Sequence, residues 1–134
     1  MIAERGGQLK PLIIIISLAI LIVSGGFITL YALNSEAQRL DEDLSTLEET
    51  IKNQNWDTAS EKLEDFHSRW DKVRSLWSML IDHYEIDNIE LLLSELVSYV
   101  DNKDKNESLS RMSSLKTLIK HIPKKESFNL ENIL

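Results

Sequence analysis

His83 is the residue with the most chemistry gathered around it, because Asp82, Glu85 and Asp87 lie within four positions of it. On a helix, His83 and Asp87 share a face at a spacing of four, and with Glu85 they form a candidate set for a divalent cation. The same residues also suit a helix junction, where acids cap the next helix and the imidazole faces the negative end of the previous one. The junction is the expected role. The expected metal set is therefore none, with His83, Glu85 and Asp87 as the candidates. His67 and Asp71 repeat the spacing of four as a solvated pair. His121 falls near the end of the last amphipathic run, where a cation is favoured. Glu48-Glu49, Glu64-Asp65 and Asp41-Glu42-Asp43 are outward helical positions rather than an acid–base pair in a pocket. With no cysteine, the chain has no disulfide, thiolate metal site or thiol nucleophile. Gly-rich phosphate loops, serine elbows and His-Glu-x-x-His are missing too. No enzyme and no cofactor are expected.

The elements that would hold these residues divide sharply by composition. From Leu12 to Leu33 there are 22 residues without a charge. At about 1.5 Å per residue they reach about 33 Å, enough for a hydrocarbon core of about 30 Å. Fourteen of them are Ile, Leu, Val or Phe, which favours insertion by roughly 4 to 8 kcal/mol. The core is too long for a cleaved signal peptide, although Ser35-Glu36-Ala37 would pass as a cleavage site. Arg5 and Lys10 precede the run, whereas Glu36, Asp41, Glu42 and Asp43 follow it. The positive-inside bias then places the N-terminus in the cytoplasm and the acidic part outside. Gly25-Gly26 suits local packing or a kink better than helix dimerisation. Residues 34–134 carry 21 acids and 13 bases, a net charge of −8, which disfavours nucleic acid.

Beyond the apolar run the period is helical. Ala37, Leu40, Leu44, Leu47 and Ile51 are spaced 3, 4, 3, 4, so the first amphipathic helix is expected to run straight out of the membrane. Asn53-Gln54-Asn55 marks a turn. Trp56, Ala59, Leu63, Phe66, Trp70, Val73, Trp77 and Leu80 predict a second helix of about 28 residues. Trp56, Leu63, Phe66, Trp70, Val73 and Trp77 are its expected core. A partner-binding groove is the alternative role for that ridge. Ile86, Ile89, Leu93, Leu96 and Val100 predict a third helix, capped by Asp87 or Asn88. Leu109, Met112, Leu115, Leu118, Ile119 and Ile122 predict a fourth, capped by Ser108 and ended by Pro123. Helices three and four should be shorter than helix two, and the tail from Phe128 to Leu134 should dock on the bundle.

The motifs Trp56-Asp57-x-Ala59, Trp70-x-x-Val73-x-x-x-Trp77, His83-x-Glu85-Ile86-Asp87-x-Ile89 and Asn132-Ile133-Leu134 follow a short basic N-terminus and one span. In that order they resemble an uncharacterised family of small single-span proteins from clostridia and related Gram-positive bacteria. The resemblance covers nearly the whole chain. It implies a location and a bundle, with no reaction, and it favours exposure at a Gram-positive cell surface.

The sequence thus predicts an all-α protein with one N-terminal transmembrane helix and an antiparallel bundle of about four helices. The parts are a cytoplasmic stretch 1–11, a transmembrane helix 12–33 and an extracytoplasmic bundle 34–134. The expected function is that of an interaction or accessory subunit, with the lipid bilayer and another membrane protein as partners. A homo-oligomer is compatible with the sequence. The alternative is a ligand- or divalent-cation-sensing module. With about eleven residues before the span, such a sensor would need a partner to carry its signal inward.

Overall fold

The computed structural model describes the backbone of residues 2–133 and the side chains of residues 9–128 and 132. Four helices and no strand are found among them: α1 Ile2–Lys52, α2 Trp56–Trp77, α3 His83–Asp101 and α4 Lys105–Ile133. Helix α1 packs on α2, α2 on α3 and α3 on α4, and α4 closes back onto α1. Short turns make successive helices antiparallel.

One spacing rule builds the core in all four helices. The buried positions are 33, 37, 40, 44, 47 and 51 in α1, and 59, 63, 66, 70, 73 and 77 in α2. They are 86, 89, 93, 96 and 100 in α3, and 108, 112, 115, 119 and 122 in α4, where Pro123 is buried beside the stripe. Every step is three or four, so each helix turns one stripe inward. Trp70 and Trp77 are fully buried, and their rings meet edge to face with centroids 5.8 Å apart. Trp56, the first residue of α2, is only partly buried against the core.

Helix α1 is the unusual element. It runs unbroken for 51 residues, through Pro11, or about 76 Å. Its lower part is exposed: Ile13, Ile14, Ile15, Leu21 and Ile28 are all more than half accessible. An 18-residue window there has a mean hydropathy of 2.7, and none of it is buried. By length and composition this stretch is able to cross a bilayer. Its serine and threonine hydroxyls already have partners: Ser17 donates to the Ile13 carbonyl, Ser24 to that of Ile20 and Thr29 to that of Gly25. That back-bonding removes the cost of carrying a free hydroxyl in hydrocarbon. Gly25 has open space where a Cβ would point, so it packs against nothing in its own chain.

The turns depart from the sequence expectations in three places. Helix α2 stops at Trp77, six residues short of the span implied by continuing the period to Leu80 and beyond. Residues 78–82 fold inward instead, burying Ile81 and half-burying Leu80, so the apolar spacing persists where the helix does not. The cap of α3 is Asp82, not Asp87 or Asn88: its side chain accepts from the Tyr84 N–H at 3.0 Å. Asp82-His83-Tyr84-Glu85 has the spacing of a capping box, which was the available signal. The cap of α4 is Asp104, whose carboxylate accepts from the Glu107 N–H at 3.0 Å. Ser108 sits one turn further on, in the core stripe, buried and with no hydrogen-bond partner for its hydroxyl.

Pro123 does not end α4. The helix passes through it to Ile133 and, at 29 residues, is longer than α2. A proline costs one backbone hydrogen bond. Here Ile119 and Ile122 are buried before it, and Lys125 is bound to Glu85 after it, so packing holds both sides. Phe128 is 67% exposed and does not dock on the bundle. The side chains of Leu130, Ile133 and Leu134 lie outside the described residues. The distal turns share one device. Gln54 and Lys103 both have φ of 56°, and the following residues return N–H groups to Thr50 and Tyr99. These are Schellman closures made without glycine.

Trp70→Ala should cost roughly 3–5 kcal/mol, a large share of the stability of a domain this size. All three tryptophans lie in α2, so near-ultraviolet circular dichroism of the lipid-embedded chain follows the bundle alone. A melt within a few degrees of wild type would contradict the buried ridge. A second pair separates the two assignments at the start of α4. Asp104→Ala should lose about 1 kcal/mol of capping, while Ser108→Ala should be neutral or stabilising, since it removes an unpaired buried hydroxyl.

Candidate functional site

The three residues singled out around the α2–α3 junction are not gathered by the fold. His83 is the first residue of α3 and exposed, and Asp87 lies one turn on, also exposed. Glu85 turns away to α4, where its carboxylate accepts from Lys125 Nζ at 2.7 Å. Among the described residues no group of three His, Asp or Glu side chains is placed to hold a metal ion. His67 is exposed on α2, and His121 is exposed on α4 before the helix continues.

Polar chemistry is concentrated instead at the helix seams, each of which carries an ion pair. Asp43 of α1 meets Arg69 of α2 at 2.6 Å. Glu90 of α3 accepts from Trp70 Nε1 at 2.6 Å and from Arg74 at 3.3 Å. Glu95 of α3 faces Arg111 of α4 at 3.0 Å, and Arg111 also lies over the Tyr99 ring. Glu48 and Asp41 of α1 meet Lys116 and Lys120 of α4 at 2.8 and 3.0 Å. Pairs this exposed contribute little stability each, about 0–1 kcal/mol. Their value is positional: each like-signed slip would separate an acid from its base. Trp70 is the exception, because its buried indole N–H has found a carboxylate acceptor, as buried indoles usually do. The buried Trp77 Nε1 has none among the described residues.

An open groove of about 670 Å³ lies between α1 and α2. Lys62, Arg69 and Lys72 line it together with Glu36, Asp43 and Asp65, over a floor of Phe66 and Val73. Its polar lining and open form suit a surface contact with a polypeptide of mixed charge better than an enclosed small molecule. The sequence pattern carried no sign of this groove, because it depends on which outward residues of two helices come to face one another.

Acidification should loosen the α1–α4 seam. Lys116 first, then Lys52, hold the Glu48 carboxyl below the usual glutamate range. A carboxyl depressed in the folded state stabilises above its unfolded value, and that contribution is lost as pH falls through the folded value. The bundle's melting temperature should therefore drop below about pH 4.5, and Glu48→Gln should flatten that part of the profile. An identical acid slope in Glu48→Gln would remove Glu48 as a cause.

Comparison with known proteins returns no match among curated proteins and none among solved structures. A family model does match, over residues 27–133, and it takes in the last turns of the apolar stretch as well as all four helices of the bundle. The chain therefore belongs to the family of the domain of unknown function DUF4363.

Proposed function

We propose that this protein is a membrane-anchored helical bundle, held outside the cytoplasm, that serves as an interaction or accessory subunit of another membrane protein. The observation that supports it is α1 itself: one unbroken helix whose exposed apolar part continues directly into the bundle core. A rigid rod of this kind transmits position, since the first core residue, Leu33, is also the last residue of the span, with no linker between. Arg5 and Lys10 before the span, against Glu36, Asp41, Glu42 and Asp43 after it, support an outward-facing bundle. Catalysis is not part of the proposal, and the mixed-charge α1–α2 groove is the surface offered to a partner. Cation sensing at His83, Glu85 and Asp87 is left without support, because Lys125 already neutralises Glu85.

Two measurements test this. Protease added to intact cells should cut within residues 34–134 and spare the span; full protection would reverse the orientation. Photo-crosslinkers placed at Lys62 and Lys72 in native membranes should yield one dominant adduct with another integral membrane protein. Recovery of the uncrosslinked chain alone, with the bundle shown folded, would dismiss the accessory role.

A further inference from the structure

The bundle leaves its apolar residues exposed at one end. Beyond the apolar stretch on its C-terminal side, the large hydrophobic side chains exposed among the described residues are Leu76, Met79, Tyr84, Leu91 and Phe128. Four of the five belong to the end from which α1 descends toward the span. The seam pairs fix these heights. Helix α4 is antiparallel to α1, with Lys116 level with Glu48 and Lys120 with Asp41. Equal rise in both helices, about 1.5 Å per residue, then brings Phe128 level with Asn34, and Ile133 level with Thr29 inside the uncharged stretch. The Arg69–Asp43 pair places the α2–α3 turn, with Met79, at the height of Leu33. The Lys125–Glu85 pair places Tyr84 just above it.

Burial along α1 agrees with these heights. Thr29 and Leu30 are half-buried and Leu33 is 1% exposed, although all three lie within the run of residues suited to hydrocarbon. The base of the bundle therefore overlaps the top of the span rather than starting above it. At that height, Met79 is 75% exposed, Tyr84 69% and Phe128 67%, close to the 77% of Tyr31 on the span itself. The charge along α4 also differs from the rest of the domain. Between Glu107 and Glu126, α4 carries five bases and no acid, and Lys120 and Lys125 remain about half exposed while paired. Of these bases, Lys120, Lys124 and Lys125 are the three nearest the base, where they stand among Asp82, Glu85 and Glu126.

We propose that the base of the bundle, formed by the α2–α3 turn and the C-terminal turns of α4, is seated in the interfacial layer of the same bilayer that holds α1. Met79 and Phe128 meet the acyl boundary near Tyr31, Tyr84 lies just above them at the headgroup level, and Asp82, Lys124 and Lys125 stay among the headgroups. Amphipathic aromatic rings favour that zone, and long basic side chains reach from it to the phosphates. The occupant of this surface is lipid and not a second protein, because any bilayer that contains the span up to Leu33 must meet residues at the same height. The inference rests on the anchor reading, and its test keeps the two apart.

The chain lacks cysteine, so single spin labels at Ile20→Cys, Asn53→Cys, Met79→Cys and Phe128→Cys report one site each. All four positions are exposed, so folding is preserved. The full chain is placed at one copy per nanodisc of phosphatidylcholine with phosphatidylglycerol, and collisions with oxygen and with a nickel chelate are measured. Labels at 79 and 128 should show several-fold higher oxygen-to-nickel ratios than the label at 53, and approach that at 20. Lys124→Glu should lower the ratios at 79 and 128 without changing those at 20 and 53. If 20 is immersed while 79 and 128 resemble 53, the bundle stands clear of the membrane and the inference fails with the anchor intact. Low accessibility to both reagents at 79 and 128 would mean a protein contact and would also overturn it. An aqueous label at 20 would defeat the anchor itself.

Discussion

Helix α1 carries two kinds of surface on one hydrogen-bonded backbone, and the rest of the molecule is arranged around that constraint. In its lower part the side chains are apolar all round, and the polar exceptions Ser17, Ser24 and Thr29 return their protons to carbonyls one turn below. In its upper part only one stripe is apolar, and that stripe, from Leu33 to Ile51, is the seam on which the bundle closes. A helix can make this change without a break because its backbone bonds are internal and indifferent to the side chains. The consequence is mechanical: the orientation of the bundle is tied to the orientation of the span.

The other three helices supply what α1 alone lacks. Their inward stripes bury Trp70, Trp77 and Phe66 with the aliphatic residues of α3 and α4, and this burial provides the main driving force. The ion pairs at the seams add little energy but a definite register, with Asp43–Arg69, Glu90–Arg74, Glu95–Arg111 and Glu48–Lys116 each joining a different pair of neighbours. The Trp70–Glu90 bond links the core to this outer layer, since one carboxylate serves both an indole inside and a guanidinium outside. That is why an acid on the outward side of α3 has a structural role, whereas Glu85, which seemed a candidate ligand, serves as the anchor point for Lys125.

Much of this was legible in the amino-acid sequence, and the reason is periodic. An uncharged run of 22 residues and four apolar stripes at spacings of three and four leave no room for strands, whose side chains alternate every two residues. Element ends were harder to read, because several signals compete at each junction. Leu80 keeps the period of α2 yet belongs to a turn, and Ser108 has the chemistry of a cap yet occupies a core position. Pro123 has the chemistry of a stop, yet buried neighbours on one side and an ion pair on the other carry the helix through it. The fold does not gather His83, Glu85 and Asp87, because spacing along a helix does not tell which neighbouring helix will claim each side chain.

By itself the sequence determined the apolar run, the helical class and the inward stripes, since these follow from local composition and period. The tertiary structure alone decided where α4 ends relative to the span, which acids face which bases across the seams, and that Met79, Tyr84 and Phe128 share one height with Leu33. Those facts depend on the register between helices far apart in the chain, which is set when the stripes interlock and the seams pair.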